Sequence, residues 1–241
     1  MSVLTDLDPD VAYPATPSVP ESDLHSLVRF LCYGALRGHF AGHRGCFVGQ
    51  DLNIYYRRGD RTFVAPDVFV CFDVDPRHIQ TAASYRLWDV GAPPSFVLEI
   101  ASEKTYEKDL HDKPATYLEM GVSEYWRFDP SDLGLFAPIL QGDRRAGDAW
   151  APIAVGADDG GGLRGHSSVL GLDLHAEGRR LRFRDPQSGR WLADPDEARH
   201  ALDATLHTLD LTRRERDAEA AARRAAEAEV AALRARLGEQ A

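Results

Sequence analysis

Apolar residues first recur at helical spacing after Ser22 and Asp23, either of which suits a helix N-cap. Leu24, Leu27, Val28, Leu31, Ala35 and Leu36 follow at intervals of three and four, until Gly38 and Gly42 break the pattern. The stretch GCFVGQDLNIYYRRGDRTFVAPDVFVCF then reads as strands around turns, with DLNIYY as one strand, RRGD as a turn and TFVAPDVFVCF as the return. PPSFVLEIAS is a further apolar strand entered through two prolines. EKDLHDKPATYLEMGV reads as helix stopped by Gly121, either starting at Pro114 or kinked there because Pro114 disfavours helical geometry at Lys113, and SEYWRFDP as a strand closed by Asp-Pro. Between 133 and 193 the chain is glycine-rich and short-stranded, with FAPIL, AWAPIAV and LDLHAEGRRLRFRDPQSGRWL; Glu-Gly and Gln-Ser-Gly signal hairpins in the last. This order predicts a mixed α/β domain on one central sheet over residues 21–195, after an irregular lead-in at 1–20.

Residues 196–241 differ. They contain no glycine before Gly238 and place Ala218, Ala221, Ala225, Ala228, Ala232 and Ala235 at alternating spacings of three and four. That is a heptad-like seam, read either as a dimerising coiled coil, which would make the protein a homodimer, or as a lone solvated helix.

Two carboxylates stand out because the strands around them are so apolar. Asp67 follows Pro66 and precedes Val-Phe-Val-Cys-Phe; Glu99 follows Ser-Phe-Val-Leu. A buried carboxylate is costly unless it is paired or binds a cation. Asp67 also has a plain reading as a turn residue, and Glu99 as a glutamate paired with an arginine. Strand alternation puts Val97 and Glu99 on one face and Leu98 and Ile100 on the other. Two such strands would bring both acids around one Mg²⁺ or Mn²⁺, with the Ile100 backbone carbonyl as a further oxygen ligand.

Composition adds limits. The chain has 241 residues, 44% hydrophobic and 27% charged, as expected of a globular domain with an appendage. No apolar run is long enough to span a membrane, and the acidic, proline-bearing start lacks the features of a secretory signal. Cys32, Cys46 and Cys71 are odd in number and widely spaced, which fits a reducing cytoplasm rather than disulfides or a zinc site. The net charge of −10 argues against tight nonspecific DNA binding, although a carboxylate metal site is itself acidic before cations occupy it.

The succession of helix, hairpin, Pro-Asp, apolar strand with Glu, and helix is the layout of the PD-(D/E)xK nuclease fold. A lysine usually stands two residues after the glutamate there, but this chain has Ala101. The motifs APDVFV, LEIAS, Asp109 with Lys113 and Tyr117, and GVSEYWRFDP resemble the Uma-two family of restriction endonuclease-like proteins, a branch of that superfamily. The likeness extends to SSVLGLDL and RDPQSGRWL. It implies a restriction-endonuclease-like fold, divalent metal binding and DNA cleavage. Asp67 and Glu99 match the family's acidic positions, and Lys113 matches a lysine moved from the strand to the following helix.

The neighbours of this trio each carry two readings. Ser102 either bonds the glutamate or a phosphate, or caps the strand-to-helix turn. Asp109 either positions Lys113 or pairs with it at the surface. Tyr117 is core, groove lining or a site residue. His25 faces the site or lies on the surface. Arg57, Arg58 and Arg61 grip a phosphate backbone or form a solvated turn. The functional readings are a metal-dependent DNA endonuclease, a nuclease fold that binds nucleic acid or a protein without cutting, and an interaction scaffold assembled by its tail.

Overall fold

The helix expected after Ser22 runs from Asp23 to His39 (α1) and buries Val28, Cys32, Ala35 and Leu36 on one stripe. The computed structural model describes residues 23–80, 84–158 and 160–195, together with residues 197 and 216. The predicted lead-in at 1–20 and nearly all of the 196–241 tail, with its alanine seam, lie outside the described residues. Described residues through Asp194 belong to one compact unit and those from Pro195 onward to another.

After α1 come Phe47–Gly49 (β1), Ile54–Tyr55 (β2), Phe63–Val64 (β3), Val68–Cys71 (β4), the short helix Pro76–Gln80 (α2), Tyr85–Arg86 (β5) and Leu87–Val90 (α3). Phe96–Ile100 (β6) leads into Tyr106–His111 (α4) and Lys113–Met120 (α5), then Glu124–Phe128 (β7), Leu140–Ala146 (β8) and Ala149–Pro152 (β9). Val155–Ala157 (β10), Leu163–Ser167 (β11), Leu172–Glu177 (β12) and Arg180–Arg184 (β13) complete the set.

The central sheet has the order β1-β4-β6-β7-β8-β9 and is mixed: β6 and β7 are parallel, the other pairs antiparallel. A four-stranded antiparallel sheet, β10-β11-β12-β13, and a small sheet, β3-β2-β5, accompany it. The protein is therefore mixed α/β on one mixed central sheet, as the pattern predicts.

The two faces of β6 carry two cores. Phe96, Leu98 and Ile100 pack with α1 and with Leu172, Leu174 and Phe183 of the four-stranded sheet. Val97 faces the other way, with Phe69, Tyr117, Met120 and Tyr125. Trp126 fills the first core so closely that a Cβ at Gly142 or Gly165 would meet its ring at 2.7 Å. Glycine is required at both positions, where no side chain fits beside the indole.

Three expected elements are divided. TFVAPDVFVCF is not one strand: β3 pairs with β2, and β4 pairs with β1 and β6, because Pro66 has no N–H to continue a ladder. AWAPIAV splits at Pro152 into β9 and β10, which belong to different sheets, and FAPIL becomes a loop before Leu140. The helix over 107–120 is two helices. Pro114, in the first turn of α5, donates no hydrogen bond, so the helix breaks at Asp112 between α4 and α5. Gly121 ends α5 with φ 94°, a left-handed cap that suits glycine.

Candidate active site

The register of β4 and β6 decides where the two acids meet. Val68 faces Leu98 across the antiparallel pair, so the next residue on each strand sets Asp67 across from Glu99. The backbone N–H of Asp67 lies 3.4 Å from Glu99 Oε2, and the N–H of Ile100 donates to Asp67 Oδ2 at 2.7 Å. Acids separated by more than thirty positions thus share one end of the sheet. The face assignment from alternation holds, since Glu99 lies on the side of Val97 and away from Leu98 and Ile100.

Lys113 completes the group. Its Nζ lies 2.9 Å from Glu99 Oε2 and 2.7 Å from Asp109 Oδ1. The kink at Asp112 puts Lys113 at the first position of α5, and its four-residue separation from Asp109 spans the joint of the two helices. Asp109 is buried, so its pair with Lys113 does not lie at the surface. Tyr117, one turn along α5, donates its hydroxyl to Glu99 Oε1. Tyr125 donates to the Asp109 carbonyl at 2.7 Å.

His25 is only 2% exposed and its Nε2 lies 2.9 Å from Asp67 Oδ1. The surface reading of this residue fails: α1 turns its first buried position toward the acids. Ser102 contacts the Thr105 hydroxyl at 2.8 Å, and its carbonyl accepts from the N–H groups of Thr105 and Tyr106. Its hydroxyl stays within the turn before α4, bonded to Thr105, the residue at the helix N-cap, and Ser102 also lines the cleft described below. Arg57 forms a two-pronged pair with Glu119 at 2.8 and 2.7 Å, so this arginine ties the β2–β3 turn to α5.

Burial and charge act against each other here. Burial pushes the Glu99 carboxyl well above its usual range; Lys113 pulls it down, and the charges of Asp109 and Asp67 push it up again. Asp109 is raised for the same first reason. For Asp67 burial also acts upward, but the hydrogen bond and charge of His25, with Lys113 and the Ile100 N–H, outweigh it and hold the carboxyl low. Burial disfavours the Lys113 ammonium, yet Glu99, Asp109 and Asp67 together raise it above an ordinary lysine. Lys113 is therefore a fixed cation beside one low and two raised carboxyls.

His25, Asp67 and Lys113 line the recessed part of a cleft of about 1020 Å³, with Glu99 and Asp109 buried next to them. Asp67 is 7% exposed and Glu99 not at all, so solvent reaches the site past Asp67 and Lys113. Ala101, the position where the superfamily usually has lysine, lines the same cleft, as do Lys104 and Lys108. Tyr56 and Phe63, from the small sheet, form another part of its wall. Sequence patterning gave these two aromatics no role, because one alternating position on a short strand does not reveal which side opens onto a cleft.

Among the described residues no group of three or more His, Cys, Asp or Glu side chains is arranged to hold a metal ion, and no helix is long and apolar enough to cross a membrane. No curated protein is significantly similar to the chain. One similar solved structure is a "putative nuclease belonging to DUF820" from Anabaena variabilis ATCC 29413, with 15% identity and a TM-score of 0.41 over 59% of this chain and 75% of that one. The Uma2 family model, "Putative restriction endonuclease", matches residues 15–149, more than half of the 241 residues, and the chain belongs to that family.

Proposed function

We propose that the protein is a divalent-metal-dependent endonuclease that hydrolyses phosphodiester bonds of DNA. The observation that supports this most is the convergence of Asp67, Glu99 and Lys113 on one end of the sheet, where Asp67 and Lys113 open onto a cleft and Glu99 is buried beside them. The available donors are all oxygens. Mg²⁺ is satisfied by one or two carboxylates plus water and phosphate, so two acids and a carbonyl suffice even without a third acid. In an extended strand the N–H and C=O of one residue point to the same side. Because the Ile100 N–H reaches Asp67, its carbonyl also faces β4. Asp67, Glu99 and the Ile100 carbonyl would hold Mg²⁺ or Mn²⁺.

When bound, the ion would lower the pKa of a coordinated water and offset charge on the phosphate. The chain's own groups then have separate tasks. Lys113 stays protonated, so it serves electrostatically: it orients the attacking water or faces a phosphate oxygen rather than accepting a proton. Asp109 fixes Lys113, Tyr117 fixes Glu99, and His25 fixes Asp67. In the hydrolysis the water oxygen bonds to phosphorus, the bond to the leaving sugar oxygen breaks, and that oxygen takes up a proton.

Nicking of supercoiled plasmid with Mg²⁺ or Mn²⁺, abolished by EDTA and by both Asp67→Asn and Glu99→Ala, is the expected result. Full cutting by both variants would overturn the proposal. The engagement of Glu99 by Lys113 and Tyr117 favours one second reading, a fold that binds nucleic acid without cutting. Calorimetry separates the two: a cutter takes up the ion and loses that uptake in Glu99→Ala.

A further inference from the structure

We infer that the cleft takes an unpaired DNA strand, so that single-stranded or locally unpaired DNA, not intact duplex, is the substrate form. This rests on the hydrolase reading above and names its substrate class. Three observations carry it. First, the reacting groups are recessed: Glu99 is fully buried, Asp67 is 7% exposed, and the Lys113 side chain 18%. A scissile phosphate must descend to them, which an unpaired strand does by bending and a stacked duplex resists until its bases are separated.

Second, the open cleft of about 1020 Å³ has room for a few nucleotides. Third, its lining combines the two chemistries of a single strand. Phe63, 43% exposed, and Tyr56 offer ring faces from the small sheet, while Lys104 and Lys108 bring positive charge from the segment leading into and along α4. Bases stack on aromatic faces and phosphates are met by ammonium groups; neither contact requires a base pair. Acids also line the cleft, but three of them are engaged within the protein. Asp51 faces Arg29 at 3.3 Å, Asp132 faces Arg179 at 2.6 Å and Asp67 faces His25 at 2.9 Å, leaving Glu103 and Asp112 opposite Lys104 and Lys108, while Lys113 is held by Glu99 and Asp109.

Phe63 is exposed on a short strand, so its replacement leaves the core intact. The test is fluorescence anisotropy of the full-length chain in EDTA, where no metal-dependent cutting occurs. The probes are a labelled single-stranded oligonucleotide and the same sequence as a blunt duplex. The expected result is at least tenfold tighter binding of the single strand, lost by about tenfold in Phe63→Ala and largely retained in Phe63→Trp, as for a stacking platform. Lys108→Glu weakens the single strand by a similar factor, and circular dichroism shows the variants folded. Equal or tighter binding of duplex, or wild-type binding by both Phe63→Ala and Lys108→Glu, would overturn the inference. If the single strand binds as expected but no DNA is cut with Mg²⁺ or Mn²⁺, the hydrolase reading fails and the strand preference stands. If plasmid duplex is cut and bound as well as single strand, the reverse holds.

Discussion

Lys113 Nζ sits 2.9 Å from Glu99 Oε2, the cation reaching from a helix start to a carboxylate that has no contact with solvent. Without that ammonium, Glu99 would keep only the Tyr117 hydroxyl and the Asp67 N–H, and Asp109 would lose the cation it pairs with. Lys113→Met is expected to destabilise the protein by about 3 kcal/mol near neutral pH, the low end for breaking a buried pair because the ammonium retains some solvent. The sign of the pH dependence follows from the raised carboxyls. A carboxyl whose folded pKa is raised holds its proton longer in the folded state, so stability falls as pH rises from 4.5, the ordinary glutamate value, toward the folded one. Lys113 limits that fall. Urea unfolding at pH 5 and pH 8 is expected to show the variant losing more stability than wild type over this interval; equal losses would refute the coupling.

Asp67 behaves in the opposite sense. Its carboxyl is held low, so the contribution is present above 3.8, the ordinary aspartate value, and is lost as pH falls through the folded one. His25→Ala removes the largest of the interactions that lower it, at a cost of about 2 kcal/mol, as for a hydrogen bond to a charged group. The gap between the variant and wild type is expected to close in acid, below that ordinary value. A gap that is constant with pH would mean that His25 acts by packing alone.

How much of this was open to sequence reasoning depends on whether a signal was local. Asp67 and Glu99 were visible because acids interrupt short apolar strands, and the alternation of Val97 and Glu99 against Leu98 and Ile100 gave the right face. Lys113 was placed by its motif, and Pro114 signalled a helix start or kink beside it, but which of the two holds needed the backbone. His25 could not be assigned, because a helix stripe shows which residues are buried and not which partner waits at its end. The split of TFVAPDVFVCF came from sheet exchange at Pro66, a long-range choice. One dense hydrogen-bond network among the described residues was not legible in the sequence, since its partners other than Trp126 lie more than forty positions from its centre.

That network centres on Glu124. Its carboxylate accepts from Trp126 Nε1, from Ser168 and Val169 N–H, and from the Ser167 and Ser168 hydroxyls. It fastens β7 of the central sheet to the turn between β11 and β12. Glu124→Ala leaves several buried donors without an acceptor, at a cost of about 3 kcal/mol. For a domain of this size that corresponds to roughly 10 °C in Tm. Calorimetric melting would show it, and a change under 2 °C would contradict the role given to the network.

The three thiols give an independent check on burial. Cys32 and Cys71 are pushed up to about 12 and Cys46 to about 11, in each case chiefly by burial. As thiols rather than thiolates they are poor nucleophiles. Iodoacetamide at pH 8 is expected to leave all three unmodified in the native protein and to label all three in urea, as read by mass spectrometry. Rapid native labelling of Cys71, which lies in the central sheet, would show that β4 opens readily.

The position of the ammonium can be tested by moving it. Glu99 lies on β6 and Ala101 just past its end, where the Ala101 N–H to the Phe128 carbonyl extends the ladder, so their side chains share a face, and Ala101 lines the cleft beside Lys113. A lysine there would approach the same acids from the strand instead of the helix. If Lys113 acts as a placed positive charge, Lys113→Ala is expected to reduce DNA cleavage by on the order of 100-fold or more, as for loss of a group that stabilises developing charge. Adding Ala101→Lys should then recover at least a tenth of wild-type cleavage. The same change in a Glu99→Ala background should recover nothing, since it supplies charge and no ligand. A folded Lys113→Ala, Ala101→Lys protein that stays as inactive as Lys113→Ala would mean that the helix position itself, through the contact with Asp109, is what the reaction requires.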